Sequence, residues 1–153
     1  MDVKYINPFI ESFTNVMPQL GFSDIQTGKL SVKSQELVNT GVIIIVGLVG
    51  AVKGNVVYCI DLEIAKKLAS TMMMGMEVAE FDEMSQSALS ELTNMLTASA
   101  ATCFYNQGIK IDISTPTLLH GKNVSVKMSS NQALCIEMIA DGNPIEINIA
   151  FEK

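Results

Sequence analysis

The sequence predicts an α+β fold: a single domain spanning residues 1–153, in which a largely antiparallel sheet packs against two longer helices. The chain of 153 residues is 48% hydrophobic, which is enough for one full core. Residues 82–105 lie in the longest run without Gly or Pro, and their composition favours a helix. After Gly108, apolar and polar residues alternate with a period of two, which is typical of antiparallel strands.

The first 40 residues are predicted to form one helix and one irregular strand. Asn7-Pro8 is typical of a helix start, with a cap followed by proline at the first helical position. Apolar residues then recur at helical spacing, so the helix is expected over about residues 8–19. Residues 23–38 mix apolar and polar side chains, which indicates a twisted or edge strand.

A hairpin and a second helix are predicted next. Val42–Val52 and Asn55–Ile60 are β-branched runs joined by Lys53-Gly54, which indicates a hairpin. The first run is apolar at nearly every position, so both of its faces are expected to be covered. Asp61 is a suitable N-cap for a helix that ends near the methionines at 72–74.

The C-terminal part is predicted to be an antiparallel meander. Turns are expected at residues 121–123, 129–131 and 141–143, where Gly, Asn, Ser and Asp cluster between apolar runs. In the last strand the isoleucines are expected to face inward, which leaves Glu146 and Asn148 outside.

The helix predicted over Asp82–Tyr105 has two different faces. At about 100° per residue, Ser87, Glu91 and Asn94 form one polar stripe. The stripe lies roughly 130° from the middle of an apolar arc that we expect to face the core. The members of this arc are Ala88, Leu89, Leu92, Met95, Leu96, Ser99 and Cys103.

A carboxylate and a carboxamide one turn apart can be either a solvated surface or a site. The Glu91 carboxylate can act as a base, bind a metal or pair with a cation, and the Asn94 amide can both donate to and accept from a bound water. His120 is the only histidine, so no Ser-His-Asp or Cys-His pairing is available. Self-contained hydrolysis is therefore poorly supported, and the pair suits a protein that completes the active site of another.

The spacing Ser87-x3-Glu91-x2-Asn94, with Pro116 further along the chain, resembles the signature of the CheC/CheX/FliY family of chemotaxis phosphatases. The order of predicted elements resembles that family over nearly the whole chain. Ala98 stands where the family often has Gly, and it is small enough for the close approach of a partner. One such motif, where CheC-like relatives carry two, points to the CheX branch.

This resemblance implies a phosphatase that hydrolyses the aspartyl phosphate of a phosphorylated CheY-type response regulator. Asn94 would hold the attacking water in line, and Glu91 would pair with a Lys of the receiver. Ser87, Ala98 and Pro116 would contact the partner. No cofactor or metal is expected on this chain itself, because the Mg²⁺ would belong to the receiver.

Two other functions stay open. The family resemblance also predicts the oligomeric state of the protein. The chain can be a non-catalytic adaptor or flagellar-switch-associated domain of the same fold that binds a receiver without turnover. It can also be a structural dimerisation domain unrelated to receivers. The resemblance implies a homodimer, and the apolar strand Val42–Val52 would suit burial in its interface.

The composition of the chain limits the binding partners and the cellular compartment that we expect for the protein. The net charge of −6, the pI near 4.7 and the lack of a basic cluster argue against nucleic acid. Cys59, Cys103 and Cys135 have no metal-site or disulfide spacing, so reduced and mostly buried thiols are expected. Val42–Val52 is too short to span a bilayer and the N-terminus lacks the apolar run of a signal peptide, so we expect a soluble, cytoplasmic protein.

Overall fold

The structure is a computed structural model that describes the backbone of residues 3–152, and their side chains except at positions 3, 35, 38–40 and 129–131. Its helices and strands alternate irregularly along the chain, as the predicted α+β class requires. The helices are α1 (Asn7–Val16, extended by a 3-10 turn over Met17–Leu20), α2 (Leu62–Met72) and α3 (Glu83–Asn106). The strands are β1 (Ile25–Gly50), β2 (Gly54–Asp61), β3 (Ile111–Ile113), β4 (Thr117–Ala140) and β5 (Asn143–Phe151).

The sheet is antiparallel and curls back on itself. Its strand order is β2-β5-β4-β1-β3, and β1 also pairs with β2. This second pairing is possible because β1 contains 26 residues: Ile25–Ser34 pair with the end of β4, whereas Gly41–Leu48 pair with β2. The predicted hairpin between β1 and β2 is confirmed, although β1 ends at Gly50 rather than Val52. The strand predicted over residues 23–38 and the apolar strand after it are one element.

Two of the three predicted turns are wrong. Residues 121–123 and 129–131 lie inside β4, which continues from Thr117 to Ala140. Both segments lie at irregularities in the pairing of β4 with β1, between Asn39 and Gly41 and between Ser34 and Glu36. Residues suited to turns therefore mark bulges here, because an extra residue in one strand also requires unusual backbone angles. The third prediction is confirmed: Asp141 and Gly142 form a tight turn with φ of 50° and 79°.

The last strand also corrects a predicted side-chain orientation. Asn148 is fully buried, and its Nδ2 donates to the Val57 carbonyl (3.3 Å) and to Glu146 Oε2 (3.1 Å). Burial favours a higher pKa for the half-buried Glu146, but the donors Asn148 and Lys33 outweigh it and hold this pKa below its usual value. Both side chains were expected outside because a sheet usually has one solvated face; here the curl of β1 and β4 covers that face.

The core has two parts, one on each face of the sheet. In β1 the side chains of Val42, Ile44 and Val46 point to the larger part, beneath the helices, and Ile43 points to the smaller one. The covered apolar strand predicted here is confirmed. It is buried within a single chain, so its apolar character does not by itself indicate a subunit interface. Cys59 and Cys135 are buried as predicted, and burial raises the pKa of each thiol to about 12.

The arc of α3 that faces the core was only partly predicted. The three leucines of the predicted arc are buried, but Met95 and Cys103 are half-exposed, and Thr93 and Thr97 are buried instead. At about 100° per residue, the buried arc is centred roughly 70° from the predicted one. The stripe that includes Glu91 is therefore almost opposite the core, further out than predicted.

A buried hydroxyl pair fixes this rotation of α3. The Thr97 hydroxyl donates to the Thr93 carbonyl (2.7 Å), so the Tyr58 hydroxyl on β2 donates to Thr97 Oγ1, also at 2.7 Å. Threonine can be buried on the core side because the helix itself and Tyr58 satisfy its hydroxyl. Tyr58 is fully buried, which raises its pKa.

We expect Thr97→Val to lower the free energy of unfolding by about 2 kcal/mol, since it leaves the buried Tyr58 hydroxyl without a partner. Tyr58→Phe should cost about 1 kcal/mol, because the Thr97 hydroxyl keeps its bond to the helix. Thr102→Val is the matched control: Thr102 bonds the Ala98 carbonyl in the same way (3.2 Å) but is exposed. Urea unfolding measures all three, and equal losses for Thr97→Val and Thr102→Val would contradict this account.

Candidate active site

A groove lies between α3 and the segment that joins β3 to β4. Its volume is about 570 Å³. Four of the five predicted site residues, Ser87, Glu91, Asn94 and Pro116, line it together. Ala98 does not line the groove; it is exposed on α3, one turn beyond Asn94. The structure therefore brings the polar stripe of the helix and the distant proline into one site.

The helix wall of the groove holds its polar side chains ready for an external partner. Ser87 and Glu91 are exposed and Asn94 is half-buried. On a helix, side chains three or four residues apart have Cβ atoms about 5–6 Å from one another. Within the described part of the chain, none of these three side chains makes a hydrogen bond or ion pair. Their polar atoms are thus available to a bound molecule on a rigid scaffold.

The opposite wall is held in place by Ser114. Its backbone N–H donates to the Gly47 carbonyl (2.9 Å), and the Gly47 N–H donates to Ser114 Oγ (2.7 Å). The Ser114 hydroxyl in turn donates to the Thr115 carbonyl (3.1 Å). A Cβ atom at Gly47 would lie 3.2 Å from Ser114 Oγ, so a larger residue there would push the wall outward. These bonds to β1 position Thr115 and Pro116 against α3.

The end of the groove is defined by the start of α3. Asp82 caps the helix, accepting from the Ser85 N–H (2.9 Å) and from the Ser85 hydroxyl (2.8 Å). One turn further on, Gln86 donates to the Phe81 carbonyl (3.0 Å), which ties the preceding segment to the helix. The helix predicted over Asp82–Tyr105 is confirmed; it spans Glu83–Asn106, and Asp82 is its N-cap. Hydrogen bonds from Ser85 hold the pKa of Asp82 below its ordinary value of 3.8.

The cap makes stability depend on pH in a defined direction. Because the pKa of Asp82 is lower in the folded state than in the unfolded chain, its contribution is present above pH 4 and is lost as the pH falls through the folded-state value. We expect Asp82→Ala to lower the melting temperature at pH 7. The difference from the parent should shrink below about pH 4. Thermal unfolding at several pH values measures this, and a difference that is constant down to pH 2 would be inconsistent with the cap.

Five lining residues were not predicted. Glu83 and Ser90 lie one turn from Ser87 on the same stripe, so helical periodicity could have identified them. Gln86 is a neighbour on the helix surface. Thr115 and Leu118 come from the other wall, and no local pattern indicates which helix face they meet.

The charges of the groove limit what it can bind alone. Its described lining includes the carboxylates of Glu83 and Glu91 and no Lys or Arg. A free phosphate would be repelled by both carboxylates. No three His, Cys, Asp or Glu side chains of the described chain come close enough together to hold a metal ion. Positive charge supplied by its carrier would therefore favour the entry of a phosphoryl group into this groove.

A nucleophile paired with a base is also lacking in the described lining. His120 does not line the groove. It lies in β4, and its ring contacts Phe81 edge-on at a centroid distance of 5.6 Å. What the groove does present is an amide that can orient water and a carboxylate that can pair with a cation.

Comparison with known proteins identifies the family and the fold of the chain. The sequence profile of the family described as "Chemotaxis phosphatase CheX" matches residues 42–138. The CheY-P phosphatase CheX of Thermotoga maritima is 31% identical over 127 residues, which are 83% of this chain and 82% of that protein. The CheX chain in the CheX–CheY–BeF3–Mg²⁺ complex from Borrelia burgdorferi is 32% identical, with a TM-score of 0.82 over 99% of this chain and 100% of that one. A CheC-like superfamily protein from Shewanella is 28% identical, with a TM-score of 0.87 over the full length of both.

The fold and these matches define a member of the CheC/CheX/FliY class of proteins. The chain belongs to the CheX family of chemotaxis phosphatases. The predicted family, the curled antiparallel α+β fold and the enzyme class, a phosphatase, are thereby confirmed. None of the helices that the structure describes has the length and hydropathy needed for a membrane span.

Proposed function

We propose that this chain hydrolyses the aspartyl phosphate of a phosphorylated CheY-type response regulator. The observation that carries the proposal is that Glu91 and Asn94 lie together on one rigid helix face, in a groove whose described lining is acidic and contains no basic side chain. Such a groove repels free phosphate but accepts a phosphoryl group that arrives with a divalent cation and a Lys. A receiver that carries Mg²⁺ supplies both.

In this proposal Asn94 holds the attacking water. The amide carbonyl accepts a hydrogen from the water while its NH2 group faces the phosphoryl oxygens. Water attacks phosphorus, the bond between phosphorus and the Asp oxygen breaks, and inorganic phosphate leaves with the Asp carboxylate restored. The transition state is loose, so positioning and charge account for most of the catalysis. An amide suits this role because it keeps the same protonation state throughout.

Glu91 has a different role, which is to fix the docked geometry. Its exposed carboxylate would pair with the Lys of the receiver, one helical turn from the amide. The relative from Borrelia burgdorferi was crystallised with CheY, BeF3 and Mg²⁺, where beryllofluoride stands in for the phosphoryl group. That composition supports a site in which the partner brings the metal, so we assign no cofactor to this chain.

Three further residues are proposed as partner contacts. Ser87 lines the helix wall of the groove and Pro116 lines the other wall, so both would border a receiver loop that entered it. Ala98 lies beyond the groove on α3, where its small side chain would let the partner approach the helix closely.

The experiment follows the decay of the phosphorylated receiver in the presence of Mg²⁺, with and without this protein. We expect faster decay, and no hydrolysis of p-nitrophenyl phosphate by this protein alone, because its groove brings no cation. Equal turnover of the small phosphate would contradict a partner-supplied site. Binding of the phosphorylated receiver without faster decay would favour the adaptor alternative.

We also propose a cytoplasmic homodimer. Along Ile25–Ser34, β1 pairs with β4 on one side and with no described strand on the other. Leu30 and Val32 in this segment are 49% and 60% exposed, so a second copy can cover them while pairing with the free edge. Light scattering tests the proposal: a mass of one chain, 16.6 kDa, would refute it.

A further inference from the structure

Three methionines, two in the segment after α2 and one in the first turn of α3, are much more exposed to solvent than methionine usually is. Met74, Met76 and Met84 are 97%, 58% and 61% exposed, and we call them the methionine surface. Methionine is usually a flexible filler of buried gaps, and where it is exposed it suits adaptable binding surfaces. Because methionine more often fills a core, the methionines after α2 would be expected to be buried, but the structure leaves Met74 and Met76 in solvent.

The backbone at Met74 adds a second observation. Its φ is 59°, a left-handed conformation that a residue with a large side chain seldom adopts. The turn itself is a common helix end: Met74 N–H donates to the Thr71 carbonyl (3.2 Å) and Gly75 N–H to the Ser70 carbonyl (2.8 Å). Glycine would occupy position 74 without strain. Neither packing nor turn geometry accounts for a methionine here, which indicates a role outside the folded chain.

The methionine surface adjoins the proposed active site. Met76 and Met84 line one cavity of about 360 Å³ together with Asp82. Glu83 is the first residue of α3 and lies between Asp82 and Met84 in the sequence, and it lines the active-site groove. A molecule that rests on the start of α3 can therefore contact both.

The groove alone is too small for a protein partner. A stable interface buries about 800 Å² on each partner and involves roughly 20–30 residues a side. Nine described residues line the groove. A receiver that inserts its phosphoryl group there must cover further surface, and at the start of α3 that surface combines methionine side chains with the exposed carboxylates of Glu77 and Glu80.

We propose that the methionine surface, with Glu77 and Glu80, is the second part of the docking surface for the phosphorylated receiver. The matching face of the receiver combines apolar side chains with basic ones. The inference rests on the proposed function, since it concerns the same partner. The methionines bind and orient the receiver, and they take no part in the chemical step.

Methionine-methyl NMR tests the contact directly. The protein is labelled with [methyl-13C]methionine and titrated with the receiver, Mg²⁺ and beryllofluoride, the stand-in for the phosphoryl group. The methyl resonances of Met74, Met76 and Met84 should shift or broaden. Met17 and Met138 are fully buried and serve as internal controls. Binding that leaves the three exposed methyls unchanged would overturn the proposal.

A variant separates docking from stability. The triple variant Met74→Gly, Met76→Ser, Met84→Ser should weaken receiver binding at least tenfold and raise KM, while kcat changes less than about twofold. Met74→Gly alone should keep or raise the melting temperature, because it removes the strained φ. Tyr105→Ser is the control: Tyr105 is 66% exposed at the far end of α3, about 30 Å from Met84.

The outcomes also distinguish this inference from the proposed function. Unchanged affinity in the triple variant would overturn the docking surface, even with full phosphatase activity in the parent. A fall in kcat at unchanged KM would overturn it too, because the methionines would then shape the site. Weakened binding in the triple variant, with no faster decay in the parent, would keep the docking surface and reject the phosphatase.

Discussion

Asn94→Ala is expected to lower the maximal rate of receiver dephosphorylation by about 100- to 1,000-fold, the loss typical of removing one preorganised hydrogen-bonding group from a transition state. The affinity for the receiver should change by less than about threefold, because the amide contacts the water and not the docking surface. A series of protein concentrations separates the two quantities. The groove explains the size of this effect: the other side-chain amide in its described lining is that of Gln86, whose Nε2 already donates to the Phe81 carbonyl.

The matched control is Asn106→Ala, which removes an exposed amide from the end of the same helix. It should retain the parent rate. Asn94→Asp keeps the shape but adds a carboxylate near those of Glu83 and Glu91, so it should be as slow as the alanine variant. A fast Asn94→Asp variant would mean that the residue acts through shape alone.

Glu91→Ala is expected to weaken receiver binding by about 10- to 100-fold and to lower the maximal rate as well. A docked Lys would lose its charge partner, and loss of one member of such a pair costs about 2 kcal/mol or more. The rate falls because a receiver without this contact places its phosphoryl group less accurately beside Asn94. Binding assays at two ionic strengths check the electrostatic cause, since salt should weaken the parent more than the variant.

Two controls accompany this prediction. Glu152→Ala removes an exposed carboxylate outside the groove and should bind as the parent does. Glu91→Gln keeps the size of the side chain, so a loss equal to that of the alanine variant assigns the effect to charge. A Glu91→Ala variant with parental affinity and rate would remove Glu91 from the site.

Local patterns predicted the helix that carries the site because several signals agree along it. The run lacks Gly and Pro, the interior favours a helix, and Glu91 and Asn94 fall on one stripe. The exact rotation of the helix was beyond these patterns. It depends on burial of Thr93 and Thr97, and burial of a threonine depends on a partner such as Tyr58, which lies 39 residues away.

The sheet shows a second limit of local patterns. Gly, Asn and Ser indicate departures from regular backbone, and at residues 121–123 and 129–131 these departures are irregularities in the pairing of one long strand. Whether such a segment reverses the chain depends on its partner strand, and β1 continues beside it. The same long pairing covers the face on which Asn148 was expected to be solvated.

The second wall of the groove depends on contacts between distant parts of the chain. Ser114 meets Gly47, 67 residues earlier, and this contact sets the position of Pro116 relative to α3. Nothing in the local sequence around Pro116 indicates it. Only the family resemblance predicted that Pro116 lies near Glu91 and Asn94, because the motif of the family includes all three residues.

The most direct test of the central claim is a side-by-side time course of aspartyl-phosphate decay on a Mg²⁺-loaded CheY-type receiver. Three samples are compared: the receiver alone, the receiver with the parent protein, and the receiver with an equal amount of Asn94→Ala. The account predicts fast decay with the parent, and decay close to that of the receiver alone with the variant. Equally fast decay with parent and variant would contradict it, because the water would then be positioned by some other group.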